Sequence, residues 1–302
     1  MNKIFKPVSI LLILISMIGY AQEPKKTEKT AVDILGNPEY LAISYGGFRE
    51  NTRDVVPSIE QIKEDLKILA AMKVKVLRTY NVHLEEVPNL LKAIIELKKE
   101  DPAFEMYVML GAWIDCKNAW TEFEPDHNFE SERNAVEIDT AVKLSNQYPD
   151  IIKVIAVGNE AMIRWATSYF VQPNVILKWV NHLQELKKKG ELSADLWITS
   201  SDDFASWGGG DPSYRTPDLE KLIKAVDYVS MHTYPMHNSY YNPQFWVIPE
   251  NEEAISGISK WMGEGDWKSN TPIDNWNHLI DAVRYAVGFQ LQNPNRGKYT
   301  IS

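Results

Sequence analysis

Short apolar runs alternate with helical patterns along most of this chain, and this alternation constrains its fold more than any other feature of the sequence. Segments 74–80, 104–113 and 151–157 are rich in β-branched and aromatic residues, as buried strands are. Between two of them, segment 84–99 carries apolar residues at helical spacing. Seven such strands separated by six helices indicate a parallel α/β fold.

The remaining segments complete this pattern. Ser58 and Gln61 have the spacing of a capping box, which indicates that a helix begins at residue 59. The predicted strands cover 41–45, 74–80, 104–113, 151–157, 196–200, 226–231 and 299–301; the predicted helices cover about 59–69, 84–99, 130–147, 173–189, 219–225 and 271–296. An aromatic insertion over 234–272 has no clear periodicity.

Two architectures contain alternating strands and helices of this kind. Gly46-Gly47 after the first strand lacks the third glycine of a dinucleotide-binding fingerprint, which disfavours a doubly wound sheet. The sequence therefore predicts an incomplete (β/α)8 TIM barrel over 40–302, truncated at its seventh strand, with the final strand and the last helices missing.

The N-terminus predicts export. Lys3 and Lys6 precede an apolar stretch over 8–18, and small residues follow near Ala21, so 1–21 has the pattern of a cleaved signal peptide. An uncleaved anchor is the alternative; after cleavage we expect no transmembrane span. The mature chain would begin with a flexible polar lead-in over 22–39. Its location would be periplasmic, at the cell surface or secreted.

Composition narrows the class of function. With 32 basic and 41 acidic residues, the net charge is −9, and an acidic surface repels phosphate backbones, so we expect no nucleic-acid partner. Cys116 is the only cysteine, which excludes intramolecular disulfides and thiolate metal clusters. The histidines do not share metal-ligand spacing. The sequence therefore predicts no metal and no cofactor.

Catalytic groups of such barrels lie at the carboxyl ends of the strands. Glu160 follows the buried run 151–157, so the strand carries a carboxyl group to the mouth of the barrel, where it can act as an acid. The alternative is a surface glutamate at the start of the next helix. Asn159 favours a site, because an amide beside the acid can hold a sugar hydroxyl.

Segment 152–160, which reads IKVIAVGNE, resembles the acid/base strand of glycoside hydrolase family seventeen, the β-1,3-glucanases. Segments 43–46, 77–80 and 229–235 are similar in order to this family's first, second and sixth strands, and the helix over 275–290 resembles the one before its seventh strand. The resemblance covers about 40–302. It implies a glycosidase that acts on a laminarin-like β-glucan by retaining double displacement.

The resemblance also implies roles for individual residues. Glu160 would be the proton donor and Asn159 would bind the 2-hydroxyl of the sugar at the cleaved bond. Tyr234 would orient the nucleophile. The substrate-binding candidates on the other strands and their loops are Tyr45, Arg78, Tyr80, His232 and Trp207. Trp207 and the aromatic residues of the insertion either stack on sugar rings or fill a satellite core.

The family's nucleophile is a glutamate at the end of the seventh strand, and this alignment puts it directly after Ser302. Asp202 and Asp203 are the nearest substitutes at a strand end, although the family does not use that position. We therefore expect the sequence as it stands to be inactive by itself. The alternatives are a noncatalytic glycan-binding remnant, a β-glucan transglycosylase, or the same mechanism on another β-glycan.

Overall fold

A computed structural model describes residues 28–208 and 212–232. Six parallel strands form one curled sheet, in an order that follows the chain. They are β1 (Leu41–Ser44), β2 (Val74–Arg78), β3 (Tyr107–Ala112), β6 (Ile152–Asn159), β7 (Trp197–Asp203) and β8 (Ser230–His232). Sequential parallel neighbours joined by helices are the arrangement of a barrel wall, so the predicted α/β barrel class is confirmed, with six of the eight strands of such a barrel described.

Helices follow the strands and cover the outer face of the sheet. They are α2 (Ile59–Ala71), α3 (Glu86–Glu100), α4 (Arg133–Gln147), α5 (Pro173–Lys189) and α6 (Pro217–Ala225), with a short 3-10 turn at Pro212–Tyr214. The capping box of α2 is present, because the Ser58 hydroxyl accepts from the Gln61 N–H and the Gln61 side chain accepts from the Ser58 N–H.

Side chains alternate between the two faces of the sheet. Outward residues such as Leu77, Leu110 and Ile155 are fully buried against the helices and form the main core. Inward residues at the amino ends form small apolar clusters, one of which joins Val76 to Ile34. Ile34 belongs to the short helix α1 (Ala31–Ile34), so this part of the expected flexible lead-in is folded against the inner face.

A two-stranded antiparallel ribbon is inserted between β3 and α4, and the sequence did not predict it. It comprises β4 (Cys116–Lys117) and β5 (Asp126–Glu130). The ribbon is tied to the segment after β6: the Cys116 N–H donates to the Tyr169 carbonyl at 3.1 Å, and the Gln172 N–H donates to the His127 carbonyl at 3.2 Å. Two loops beside the same strand ends therefore form one unit.

Several predictions lie outside the described residues: the signal peptide, Tyr234, the aromatic insertion, the last helix and the seventh strand. Across residues 28–208 and 212–232, no helix has both the length and the apolar character needed to cross a bilayer.

Candidate active site

Inward-facing positions change from apolar to polar toward the carboxyl ends of the strands. On β1 and β2 the inner residues Ala42 and Val76 are followed two positions later by Ser44 and Arg78. The Arg78 guanidinium donates to the Ser44 hydroxyl at 3.4 Å, which shows that the two side chains meet on this face. Among the described residues, this polar layer includes Ser44, Arg78, Asn159, Ser201, Ser230 and His232.

A β-bulge at the end of β6 directs the two central candidates. Ala156 pairs with Thr199 and Asn159 with Ser201, so three steps on β6 oppose two on β7. Gly158 sits in the bulge with a φ of +81°, and a Cβ there would lie 2.9 Å from the Ala161 Cβ. The extra residue reverses the side-chain alternation, so Asn159 faces inward beside Arg78.

Glu160 follows the bulge and also has a positive φ, +48°, which L-residues other than glycine adopt at a cost of about 1–2 kcal/mol. Its N–H donates to the Ser201 carbonyl at 2.8 Å, which fixes this backbone against β7. Its Oε1 lies 2.8 Å from Nδ1 of His232, and 21% of the side chain is exposed. The carboxyl group is therefore held in position and still reaches solvent.

His232 connects Glu160 to two serines of the inner face. Its Nε2 lies 2.9 Å from the Ser201 hydroxyl, which lies 3.0 Å from the Ser230 hydroxyl. One direction of donation satisfies all three contacts: Ser230 to Ser201, Ser201 to Nε2, and Nδ1–H to the Glu160 carboxyl. The imidazole is buried, so its orientation is fixed.

Arg78 and Asn159 form a second contact pair in this layer. The guanidinium donates to the Asn159 side-chain oxygen, which turns the amide N–H groups of Asn159 away from the arginine. The guanidinium also lies 4.8 Å from the ring centroid of Tyr80, a cation–π distance. Because Arg78 is buried, we assign it the role of orienting the side chains of Asn159 and Tyr80.

Tyr45 and Trp207 lie apart from this network. Tyr45 follows Ser44 and so faces the helices, where its hydroxyl donates to Asp65 at 2.9 Å and burial raises its pKa. Trp207 is buried, and its indole N–H donates to the Ser230 carbonyl at 3.1 Å. In the described structure, Tyr45 and Trp207 both pack in the core between the sheet and the helices, close to the strand ends.

The two aspartates considered as substitute nucleophiles both bind backbone. Asp202 is fully buried on the outer face and accepts from the N–H groups of Met162 and Asp203, at 2.8 and 3.0 Å. Burial, followed by the charge of Asp203, raises its pKa well above the ordinary value. Asp203 accepts from the Ser206 N–H at 2.7 Å. Asp202 therefore anchors the turn that follows Glu160.

Three aromatic rings beside the site were missed as site residues. Trp113 and Trp120 lie in the segment between β3 and α4, and Tyr169 lies in the loop after β6 that the ribbon contacts. The strand-end rule selects Trp113, which directly follows β3, but the linear sequence contains no signal that pairs it with the other two. Within the described ranges, no group of three or more His, Cys, Asp and Glu residues is arranged to hold a metal ion.

Comparison with solved structures identifies the family. The crystal structure of an endo-laminarinase from Formosa Hel1_33_131 is 55% identical, covers 89% of this chain and 67% of its own, and superposes with a TM-score of 0.71. A β-1,3-glucanase and allergen of Cryptomeria japonica pollen is 13% identical, covers 84% of this chain and 71% of its own, and has a TM-score of 0.43, too low to add to the assignment.

No protein-family model and no curated protein sequence matches the chain. The assignment rests on the Formosa enzyme, whose identity and coverage are those of a close relative. This agrees with the strand-end motifs quoted above and confirms the resemblance predicted from them. The chain therefore belongs to the endo-laminarinase family of glycoside hydrolases, the family-seventeen β-1,3-glucanases.

Proposed function

We propose that this protein is a retaining glycosidase that cleaves β-1,3-glucan of the laminarin type, with Glu160 as its general acid and base. The observation that carries the proposal is the inward-facing carboxyl group at the end of β6, held by the buried His232 and adjacent to Asn159. The similar Formosa protein is an endo-laminarinase, which supports the choice of substrate.

In the first half of the reaction, Glu160 donates its proton to the glycosidic oxygen while the C1–O bond breaks. A second carboxylate attacks C1 and forms a glycosyl-enzyme; in retaining enzymes the two carboxyl groups are roughly 5–5.5 Å apart. In the family that the chain resembles, this nucleophile is a glutamate at the end of the seventh strand, and we propose that Tyr234 orients it. In the second half, Glu160 removes a proton from water as the water oxygen attacks C1.

His232 gives Glu160 a fixed orientation in both protonation states. An Nδ1–H that donates to Oε1 holds the carboxyl group in one orientation. With Ser201 donating to Nε2 and Nδ1–H donating to Glu160, the neutral Nδ1–H tautomer satisfies these contacts. His232 is thus a positioning residue.

Asn159 is proposed to bind the 2-hydroxyl of the sugar at the cleaved bond. Its oxygen accepts from Arg78, so its N–H groups are the donors that remain to meet a hydroxyl oxygen. Hydrogen bonds to this hydroxyl strengthen in the transition state of retaining glycosidases. Arg78 would act on the substrate through Asn159 and Tyr80.

Release of reducing sugar from laminarin by the full-length gene product tests the proposal. We expect Glu160→Gln to abolish release and Glu220→Gln, an exposed glutamate on α6, to leave it unchanged. Absence of release by the parent protein, or full activity of Glu160→Gln on laminarin, would contradict the proposal. Binding of laminarin oligosaccharides without turnover would favour the glycan-binding alternative.

We also propose that residues 1–21 direct export and are removed. The motivation is the basic start and the apolar stretch that follows it. N-terminal sequencing of the protein recovered outside the cytoplasm should begin at Gln22. A start at Met1 in that fraction would instead support the uncleaved anchor.

A further inference from the structure

Three aromatic side chains form a stack beside the strand ends; we call Trp113, Tyr169 and Trp120 the aromatic platform. The Trp113 and Tyr169 ring centroids are 5.3 Å apart, and the Tyr169 and Trp120 centroids are 5.2 Å apart. Trp120 and Tyr169 are inclined by only 21°, so one face of the indole packs on the phenol. Trp120 is nevertheless 58% exposed, which leaves its opposite face to solvent.

The backbone places this platform next to Glu160. Ala112 of β3 pairs with Val157 of β6, so Trp113 leaves the sheet beside the bulge that carries Glu160. The backbone N–H of Trp113 donates to Glu137 at 2.9 Å, which holds the backbone at this position. After Glu160 the chain forms a loop closed by the Val171 N–H and the Ala161 carbonyl at 2.8 Å, and Tyr169 lies within it.

Electrostatics agree with this proximity. The pKa of Tyr169 is raised to about 12, first by burial and then by the negative charges of Glu160 and Asp202. The phenol and the Glu160 carboxyl therefore share one local environment on this side of the sheet.

Trp120 is held in a backbone conformation that its side chain does not favour. Its φ is +63° and that of Asn118 is +65°, in a turn closed by hydrogen bonds from the N–H and the hydroxyl of Thr121 to the Asn118 carbonyl. A bulky residue in the left-handed region is strained. Such strain concentrates at sites of binding and catalysis, where the surrounding structure maintains it. Here it presents a large apolar ring to solvent.

We propose that the aromatic platform is a sugar-binding subsite, at which the outer face of Trp120 stacks on a glucosyl ring of the β-glucan chain whose cleavage we assign to Glu160. This rests on the proposed function. A β-glucosyl ring has equatorial hydroxyls and two faces of C–H groups, so it offers a flat apolar surface to an indole. The platform is continuous with the strand ends through Trp113, and this continuity identifies the glucan as its occupant.

Calorimetric titration with laminarihexaose and with laminaribiose tests this subsite, in the Glu160→Gln background of the full-length protein so that the oligosaccharides are not cleaved during the measurement. We expect Trp120→Gly to raise the Kd of the hexaose about tenfold, the effect of losing one stacked aromatic contact, with the Kd of the disaccharide unchanged. Glycine suits the positive φ, so this variant relieves backbone strain and should remain folded. Trp120→Phe should recover part of the lost affinity.

Phe123→Ala is the matched control, because Phe123 is 63% exposed in the same inserted segment and lies outside the stack. It should bind both oligosaccharides as the parent does. An unchanged hexaose Kd in Trp120→Gly would overturn the inference, as would equal losses in Trp120→Gly and Phe123→Ala. If either of these results is obtained while the parent protein cleaves laminarin, the proposed function stands and only the subsite is wrong. If the parent protein binds the oligosaccharides but does not cleave laminarin, the proposed function is wrong and the subsite is unaffected.

Discussion

Carboxylates on the two faces of this sheet differ in what they bind. On the outer face, Glu137 accepts from the N–H groups of Val82 and Trp113 at 2.6 and 2.9 Å, with its second oxygen 3.0 Å from Nδ1 of His83, and Asp202 accepts from the N–H groups of Met162 and Asp203. On the inner face, Glu160 contacts the side chain of His232. The outer carboxylates hold the backbone of the loops at the strand ends, whereas we assign to Glu160 the exchange of a proton.

This difference separates the loss of activity from the loss of stability. Removing an outer carboxylate leaves buried N–H groups without their acceptor, which costs free energy of folding. Removing the inner one deletes a reactant from a framework that other residues maintain. Variants on the two faces should therefore differ in which quantity changes.

The largest effect is expected for Glu160→Ala in the full-length protein. Without proton transfer to the leaving oxygen, kcat on laminarin should fall by about 10²–10⁴-fold. The thermal midpoint should fall less than that of Glu137→Ala, because the backbone N–H of residue 160 still donates to Ser201 and the His232 Nδ1–H is the group that loses an acceptor. Kinetics and thermal melts on the same samples measure kcat and the thermal midpoint. A large loss of stability with activity retained would contradict the catalytic role of Glu160.

Glu137→Ala should show the reverse behaviour. Two buried N–H groups lose their acceptor at about 1–3 kcal/mol each, so the free energy of unfolding should fall by about 2–6 kcal/mol. Urea denaturation measures this change, with the exposed Asp139→Ala on the same helix as control. Stability equal to that of the control would show that Glu137 does not anchor the loops.

Gly158→Ala tests the bulge between the two faces. A Cβ there meets Ala161 at 2.9 Å and Ile176 at 3.1 Å in a left-handed backbone, so we expect a loss of about 2–4 kcal/mol. Activity should fall as well, because Asn159 and Glu160 are re-aimed. Gly190→Ala is the control: it has φ +75° with open space around it, so it carries only the backbone strain of about 1–2 kcal/mol. Equal losses of stability in Gly158→Ala and Gly190→Ala would show that the contacts of the added Cβ with Ala161 and Ile176 do not contribute.

The smallest effect concerns pH. Burial raises the pKa of Asp202 well above its ordinary 3.8, so folding favours the protonated acid. That stabilisation is complete below the unfolded-state pKa and is lost as pH rises through the higher native pKa. The unfolding free energy of the parent relative to Asp202→Asn should therefore decline as pH rises from about 4. A flat difference for Asp202→Asn would contradict the assignment.

Hydrophobic periodicity was sufficient to predict the framework from the sequence. The helix predicted over 173–189 is α5, and the capped start of α2 is at the predicted residue. The predicted strand 226–231 is observed as Ser230–His232, because the Asp227 carboxylate and N–H instead bond residue 198 of β7. The ribbon was missed because β5 consists largely of polar, partly exposed residues, which lack the apolar alternation that identifies a strand.

Site residues could be predicted from the sequence where their position at the end of a strand is sufficient to place them in the site. Glu160, Asn159, Arg78 and His232 were selected by the rule of strand ends, and the structure brings them to one face. That rule does not specify which face a residue at a strand end occupies. Tyr45 directly follows the inward Ser44 and so points to the helices. The inward turn of Asn159 depends on a bulge that only the β7 register reveals.

Azide rescue of Glu160→Ala tests the central claim most directly. The substrate is an aryl β-laminaribioside with a dinitrophenolate leaving group, which departs without protonation, so the glycosyl-enzyme forms but hydrolyses slowly without a base. Azide needs no base catalysis; added azide should restore turnover and give a glycosyl azide of β configuration. An α-configured azide would make Glu160 the nucleophile, and the absence of any rescue would remove it from the acid/base role.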